Sequence, residues 1–124
     1  MNSAKQYKIL VLDDEREIVE YYRQMLECCG YAVSTATDSN EALKMLRENY
    51  YDVIIQDLRR AGIAGVEFLV ELKKLGKKPA VIIVSASLND KLERDLLQAG
   101  CFACRRKPFE SRMLCELVAE AIEV

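Results

Sequence analysis

Five side chains in this sequence are of the types that phosphoryl chemistry uses: the acids Asp13, Asp14 and Asp57, the hydroxyl of Ser85 and the ammonium of Lys107. Magnesium prefers hard oxygen ligands and needs only one or two carboxylates when phosphate oxygens and water fill its other positions. A lysine beside such a metal offsets charge on a transferring group. A remaining carboxylate can act as nucleophile and form an acyl phosphate. Taken singly, each residue also has an ordinary role. Asp13 and Asp14 could cap a helix and meet its dipole. Asp57 could be a loop acid, Ser85 could satisfy backbone at a strand end, and Lys107 could be a solvated charge. The chemistry depends on elements that bring the five together.

Three runs are continuously apolar and rich in β-branched residues: Ile9-Leu10-Val11-Leu12, Val53-Ile54-Ile55 and Val81-Ile82-Ile83-Val84. Short runs of this kind suit parallel strands covered on both faces. Ala32 to Ala36 and Phe102 to Arg106 are more polar strand candidates, as suits the edges of a sheet. Between the strands, apolar residues recur at steps of three or four. The stripes are Ile18, Val19, Tyr22, Met25, Leu26 and Cys29; Ala42, Leu43 and Leu46; Phe68, Leu69, Leu72 and Leu75; Leu92, Leu96 and Ala99; and Met113, Leu114, Leu117, Val118, Ala121 and Ile122. Each stripe lets a helix cover one face of a sheet. Asp14 with Glu17, and Asp38 with Glu41, have the spacing of capping boxes. Gly30, Gly76 and Gly100 fall where helices should stop.

Five alternating strand–helix units imply a parallel sheet. Placing the three apolar runs at its centre gives the order 2-1-3-4-5 and a flavodoxin-like (βα)5 three-layer α/β sandwich. The switch point then lies at the C-terminal ends of the first and third strands, where ligands bind in such sheets. Asp13 and Asp14 follow the first strand, Asp57 ends the third, Ser85 the fourth and Lys107 the fifth. All five can therefore face one crevice.

Composition narrows the alternatives. The 124 residues suit a single domain, and 51% hydrophobic with 31% charged suits a globular chain. The net charge of -2 argues against nonspecific binding to nucleic acid or to an anionic membrane. No apolar run approaches the roughly 20 residues that span a bilayer, and the first residues do not resemble a secretory signal. A cytoplasmic protein is expected. Five cysteines and no histidine argue against a disulfide framework, against zinc at Cys101-x-x-Cys104, and against Ser-His-Asp or Cys-His catalysis. The thiols are expected to be small packing groups.

The ordered set resembles the response-regulator receivers, of which the chemotaxis regulator is the familiar single-domain member. The residues that carry the resemblance are Asp13-Asp14 after an Ile-Leu-Val-Leu strand, Asp57 with Gly65 downstream, Ser85-Ala86 and Lys107-Pro108-Phe109. Glu41-Ala42-Leu43 and Ala99-Gly100 also match. The resemblance covers essentially the whole chain, so residues 1–124 are expected to form one receiver domain. It implies that Asp57 accepts a phosphoryl group from a phosphohistidine on a sensor histidine kinase or phosphotransfer protein. It also implies that Asp13, Asp14, Asp57 and the backbone carbonyl of Arg59 hold Mg2+, and that Ser85 and Lys107 contact the phosphoryl group. The domain would assist its own phosphorylation and dephosphorylation without turning over an independent substrate. The output would be a switched interaction surface that reaches an effector protein or a fused output domain. No direct nucleic-acid or membrane contact is implied, and a homodimer is compatible with the resemblance. Lys107-Pro108 is expected to be a cis peptide, as in related receivers.

Several residues depart from the family pattern. Arg60-Ala61 stands where Met-Pro is common, and Ala64 replaces a frequent acid. Arg59 and Arg60 set two cations beside an anionic site. Cys104 stands where an aromatic is usual, and Arg105 where an apolar residue is. A receiver-like domain that acts without phosphate is the competing reading, and the complete set of five residues argues against it. A haloacid-dehalogenase-type phosphatase would want a D-x-D motif and a cap insertion, and Asp57-Leu58-Arg59 lacks the second acid.

Overall fold

The apolar runs become strands, and the stripes between them become helices. The structure is a computed structural model that describes residues 6–58, 63–108 and 110–123. Arg59, Arg60, Ala61, Phe109 and the side chain of Ala64 lie outside the described residues. In chain order the elements are β1 (Lys8–Leu12), α1 (Arg16–Cys28), β2 (Ala32–Ala36), α2 (Ser39–Glu48), β3 (Val53–Leu58), α3 (Ile63–Lys74), β4 (Ala80–Ser85), α4 (Asp90–Ala99), β5 (Ala103–Arg106) and α5 (Ser111–Glu123). The strands form one parallel sheet of order β2-β1-β3-β4-β5, as the sequence implies. β3 is buried along its whole length, whereas β2 is half-buried until Ala36. The central and edge positions thus follow the apolar content of each strand.

Side-chain alternation sorts the core into two layers. Ile9, Val11, Val53, Ile55, Ile82 and Val84 pack with Tyr22 and Leu26 of α1 and with Leu114, Leu117, Val118 and Ala121 of α5. Leu10, Leu12, Ile54, Leu58, Val81 and Ile83 pack on the opposite face with α2, α3 and Leu96 of α4. Asp57 has the same parity as Val53 and Ile55, and Asp13 the same as Ile9 and Val11. Both acids therefore belong to the face that α1 and α5 cover.

Helix ends follow local chemistry in most cases. Gly30, Gly76 and Gly100 have φ of 92°, 72° and 113°, the left-handed region that stops a helix and suits glycine. Asp38 caps α2 by accepting the Glu41 backbone N–H at 2.8 Å. Glu41 reaches back one residue further than in a standard capping box, to the Thr37 backbone N–H at 2.8 Å. Asn89 caps α4 in the same way, accepting from Leu92 N–H at 2.8 Å. The expected Asp14–Glu17 box does not form. The N-cap of α1 is Glu15, whose side chain makes no capping hydrogen bond. Gly65 serves a different need, because a Cβ there would sit 3.0 Å from Leu58 Cδ1 and 3.1 Å from Leu96 Cδ2.

Candidate functional site

Strand register sets the distance between the two central acids. Leu12 pairs with Gln56, so one step along the parallel strands brings Asp13 beside Asp57. On the other side, Asp57 pairs with Val84, Leu58 with Ser85, and Ser85 with Arg106. Lys107 then donates its backbone N–H to the Ser85 carbonyl at 3.0 Å. The C-terminal ends of β1, β3, β4 and β5 thus lie in one row, which brings Asp13 and Lys107 to Asp57, while no contact joins the Ser85 hydroxyl to Asp57 among the described residues. The Lys107-Pro108 bond that follows is cis, as expected.

Asp57 lies at the centre with 5% of its surface exposed. Its Oδ2 receives two donors: the Lys107 ammonium at 2.5 Å and the Tyr22 hydroxyl at 2.8 Å. Its Oδ1 is buried and has no hydrogen-bond partner. Asp13 is 2% exposed; its Oδ1 accepts the Glu15 backbone N–H at 2.9 Å, while its Oδ2 is buried without a partner. Two carboxylate oxygens on adjacent strands are therefore left unsatisfied in a buried place. Such atoms cost free energy unless a donor or a cation meets them.

The electrostatics agree with crowded acids. Burial, the nearby Asp57 carboxylate, and a hydrogen bond and charge from Asp14 push the Asp13 carboxyl up to about 7, against a smaller opposing effect of Lys107. Asp14 itself is exposed. Burial first, and then the Asp57 charge, hold the Tyr22 hydroxyl well above the ordinary tyrosine range, so it remains an O–H donor. These contacts also explain the missing cap on α1. Asp13, not Asp14, meets the backbone at the helix entry, its Oδ1 accepting the Glu15 N–H.

Among the described residues, no group of three or more Cys, His, Asp and Glu side chains forms a complete metal cage. Magnesium does not need one, because it keeps waters and substrate oxygens. The unsatisfied Asp13 Oδ2 and Asp57 Oδ1 fit a hard divalent cation by chemistry and burial. The Arg59 carbonyl and the two arginine side chains lie outside the described residues. Ser85 is fully buried, and its Oγ accepts the Ser87 backbone N–H at 3.1 Å.

Sequence reasoning placed Tyr22 in a core stripe and missed its hydroxyl. The signal was available. A tyrosine on the buried stripe of α1 faces the same side of the sheet as Asp57, and a buried phenol needs a polar partner. Cys101 and Cys104 are buried with sulfurs 3.3 Å apart, the packing role expected of them.

Comparison with known proteins agrees with this geometry. The family model described as the response regulator receiver domain matches residues 9–119. The alginate biosynthesis transcriptional regulatory protein AlgB of Pseudomonas aeruginosa is 32% identical over 122 residues, covering 98% of this chain and 27% of AlgB. The CpxR homolog of Haemophilus influenzae, a transcriptional regulatory protein, is 32% identical over 108 residues, covering 86% of this chain and 46% of that protein. The chain thus spans about a quarter to a half of these curated relatives. Among solved structures, a response regulator receiver domain protein from Clostridium thermocellum superposes with a TM-score of 0.84 at 34% identity, covering 94% of each chain. The receiver domain of the Francisella response regulator 1452 gives a TM-score of 0.86 at 30% identity, covering 95% of this chain and 98% of the other. With fold, switch point and sequence family in agreement, the chain belongs to the response regulator receiver domains, CheY-like phosphoacceptors of two-component signalling that do not turn over an independent substrate.

Proposed function

We propose that Asp57 accepts a phosphoryl group from a phosphohistidine donor in a magnesium-dependent reaction, and that the transfer switches a protein-interaction surface. What supports this reading is one juxtaposition: the buried Asp57 carboxylate is paired with Lys107 at 2.5 Å, and its other oxygen, like one of Asp13, is unsatisfied. Asp13, Asp14, Asp57 and the Arg59 backbone carbonyl would hold the ion. When bound, Mg2+ would offset negative charge on the phosphoryl oxygens. Asp57 forms the new O–P bond while the donor's bond to phosphorus breaks and its electron pair leaves with the donor. Lys107, released from its contact with Asp57, turns its ammonium to the phosphoryl oxygens, and the Ser85 hydroxyl donates to one of them.

Residues 1–124 act on this reading as one receiver domain. The phosphodonor is a sensor histidine kinase or a phosphotransfer protein, and the output goes to an effector protein or a fused output domain. No helix among the described residues is long and apolar enough to cross a membrane. Intact mass spectrometry after incubation with acetyl phosphate and Mg2+ tests the central step. One added phosphoryl group is expected, absent in Asp57→Asn and absent when the metal is chelated. Equal labelling of Asp57→Asn would overturn the assignment.

A further inference from the structure

We propose that the Tyr22 hydroxyl sets the lifetime of the phosphorylated state, by holding the acceptor carboxylate more strongly in its free form than in its phosphorylated form. The proposal rests on the reading of Asp57 as phosphoacceptor and extends it to a residue on α1. The observation is a buried hydrogen bond between side chains 35 positions apart: Tyr22 donates to Asp57 Oδ2 at 2.8 Å, and Tyr22 is only 3% exposed. Lys107 donates to the same oxygen. The lysine is partly exposed, its side chain 29% accessible against 0% for Asp57, and it sits at the mouth of the crevice. Tyr22 is fixed differently. It belongs to the buried cluster that includes Ile9, Val11, Val53 and Ile55, and close packing of that kind restrains its ring. Of the two donors on Asp57 among the described residues, Tyr22 is thus the one tied to the core.

The consequence follows from charge. A free carboxylate carries a full negative charge on two oxygens, and a hydrogen bond to an ionised acceptor is about twice as strong as one to a neutral acceptor. In an aspartyl phosphate both carboxyl-derived oxygens are neutral, one esterified and one a carbonyl. Whichever of them Tyr22 meets, its bond is weaker than before transfer. Hydrolysis reverses this. Water attacks phosphorus, the bond from phosphorus to the Asp57 oxygen breaks, and the electron pair returns to the carboxylate. The water's proton leaves to phosphate or solvent. The transition state for such transfer is loose, so negative charge has already developed on the leaving carboxylate. Tyr22 donates to that charge and lowers the barrier, because an interaction stronger in the transition state than in the ground state accelerates a step. The fixed phenol therefore acts as a timer built into α1, and its setting depends on the strength of the donor.

The test uses the whole chain, labelled with acetyl phosphate and Mg2+, and follows decay of the phosphoryl form by intact mass after donor removal. Tyr22→Phe keeps the ring and removes the donor. Its phosphoryl form is expected to live about fivefold longer, the ratio expected for losing the extra strength of a charge-assisted bond. Labelling should be no slower than in the wild type. Replacing Tyr22 alone with 3-fluorotyrosine keeps the packing and makes the hydroxyl a stronger donor, so the lifetime should shorten. A purely structural tyrosine would not produce opposite responses to these two changes. Thermal unfolding of each variant checks that the fold is retained. If wild type labels at Asp57 and all three proteins decay at one rate, the Tyr22 proposal fails alone. If Tyr22→Phe decays faster while 3-fluorotyrosine has no effect, the role is packing and the proposal is overturned. If wild type takes up no phosphoryl group, the reading of Asp57 falls, and the proposal falls with it.

Discussion

Two helices of this domain are preceded by the same sequence signature and use it differently. Asp14-Glu15-Arg16-Glu17 leads into α1, and Asp38-Ser39-Asn40-Glu41 leads into α2. At α2 the first acid caps the helix and the second returns to the backbone before it. At α1 the N-cap residue, Glu15, makes no capping hydrogen bond with its side chain. The backbone N–H of Glu15 goes instead to Asp13, whose other oxygen remains unsatisfied beside Asp57. α2 starts at an edge strand, where its acids answer only to the helix. α1 starts at the switch point, where the same residue types are drawn into a crowd of like charges. The local signature identifies acids near a helix start, and the position in the sheet decides what they do.

The comparison can be broken most sharply at the first of the two starts. Asp13→Asn should cut magnesium-dependent labelling of Asp57 by about tenfold or more, in line with the sensitivity of metal sites to their ligands, yet leave the thermal midpoint at neutral pH no lower. A labelling rate equal to wild type would show that α1's acids are not committed to the site. Asp38→Ala should do the reverse. Loss of its cap should cost about 1 kcal/mol of stability in urea unfolding, with labelling unchanged. A fall in labelling without a fall in stability would contradict the division between the two helices.

A pH series sharpens the same contrast. The folded protein holds the Asp13 proton up to about 7, whereas the ordinary value is 3.8. Between those limits the folded state binds more protons than the unfolded chain, so this residue's contribution to stability is complete below 3.8 and is lost as pH rises through about 7. Unfolding in chelator at several pH values should therefore fall more steeply toward neutrality for wild type than for Asp13→Asn, and parallel curves would refute the assignment. The smallest expected effect concerns the two glutamates. Glu41→Ala should cost a few tenths of a kcal/mol or somewhat more through the lost bond to Thr37 N–H, and Glu17→Ala should stay within about 0.5 kcal/mol, as a surface change does. Equal losses would mean that both boxes form in solution.

The sheet was legible because each strand's position depends on how many of its faces are covered, and the β-branched runs of β1, β3 and β4 record that directly. The order of the strands then located Asp13, Asp57, Ser85 and Lys107 without further information. What escaped were features that depend on contact across the sequence. Tyr22 was visible as an apolar body on a helix stripe, but its hydroxyl's destination depends on the parity of a strand more than thirty residues away. The α1 cap failed for the related reason that capping propensity is local and repulsion at the switch point is not. The arginines at 59 and 60 lie outside the described residues, so their expected effect on the metal site remains a proposal, measurable as a gain in magnesium affinity on Arg59→Ala or Arg60→Ala.

Gly65 carries a different kind of constraint. The space above its Cα is closed at 3.0 Å by Leu58 and at 3.1 Å by Leu96, and Leu58 directly follows Asp57. A methyl group at this position requires the ends of the Leu58 and Leu96 side chains to give by a few tenths of an ångström, and anything larger requires more. In a saturation scan side chains larger than alanine should score as intolerant, and increasingly so with size. Its compensating partners should be residues 58 and 96, reduced in size. The glycine thus behaves as a spacing gauge among three elements, and substitutions there would be felt as misfit at the end of β3 before any reacting group had been altered.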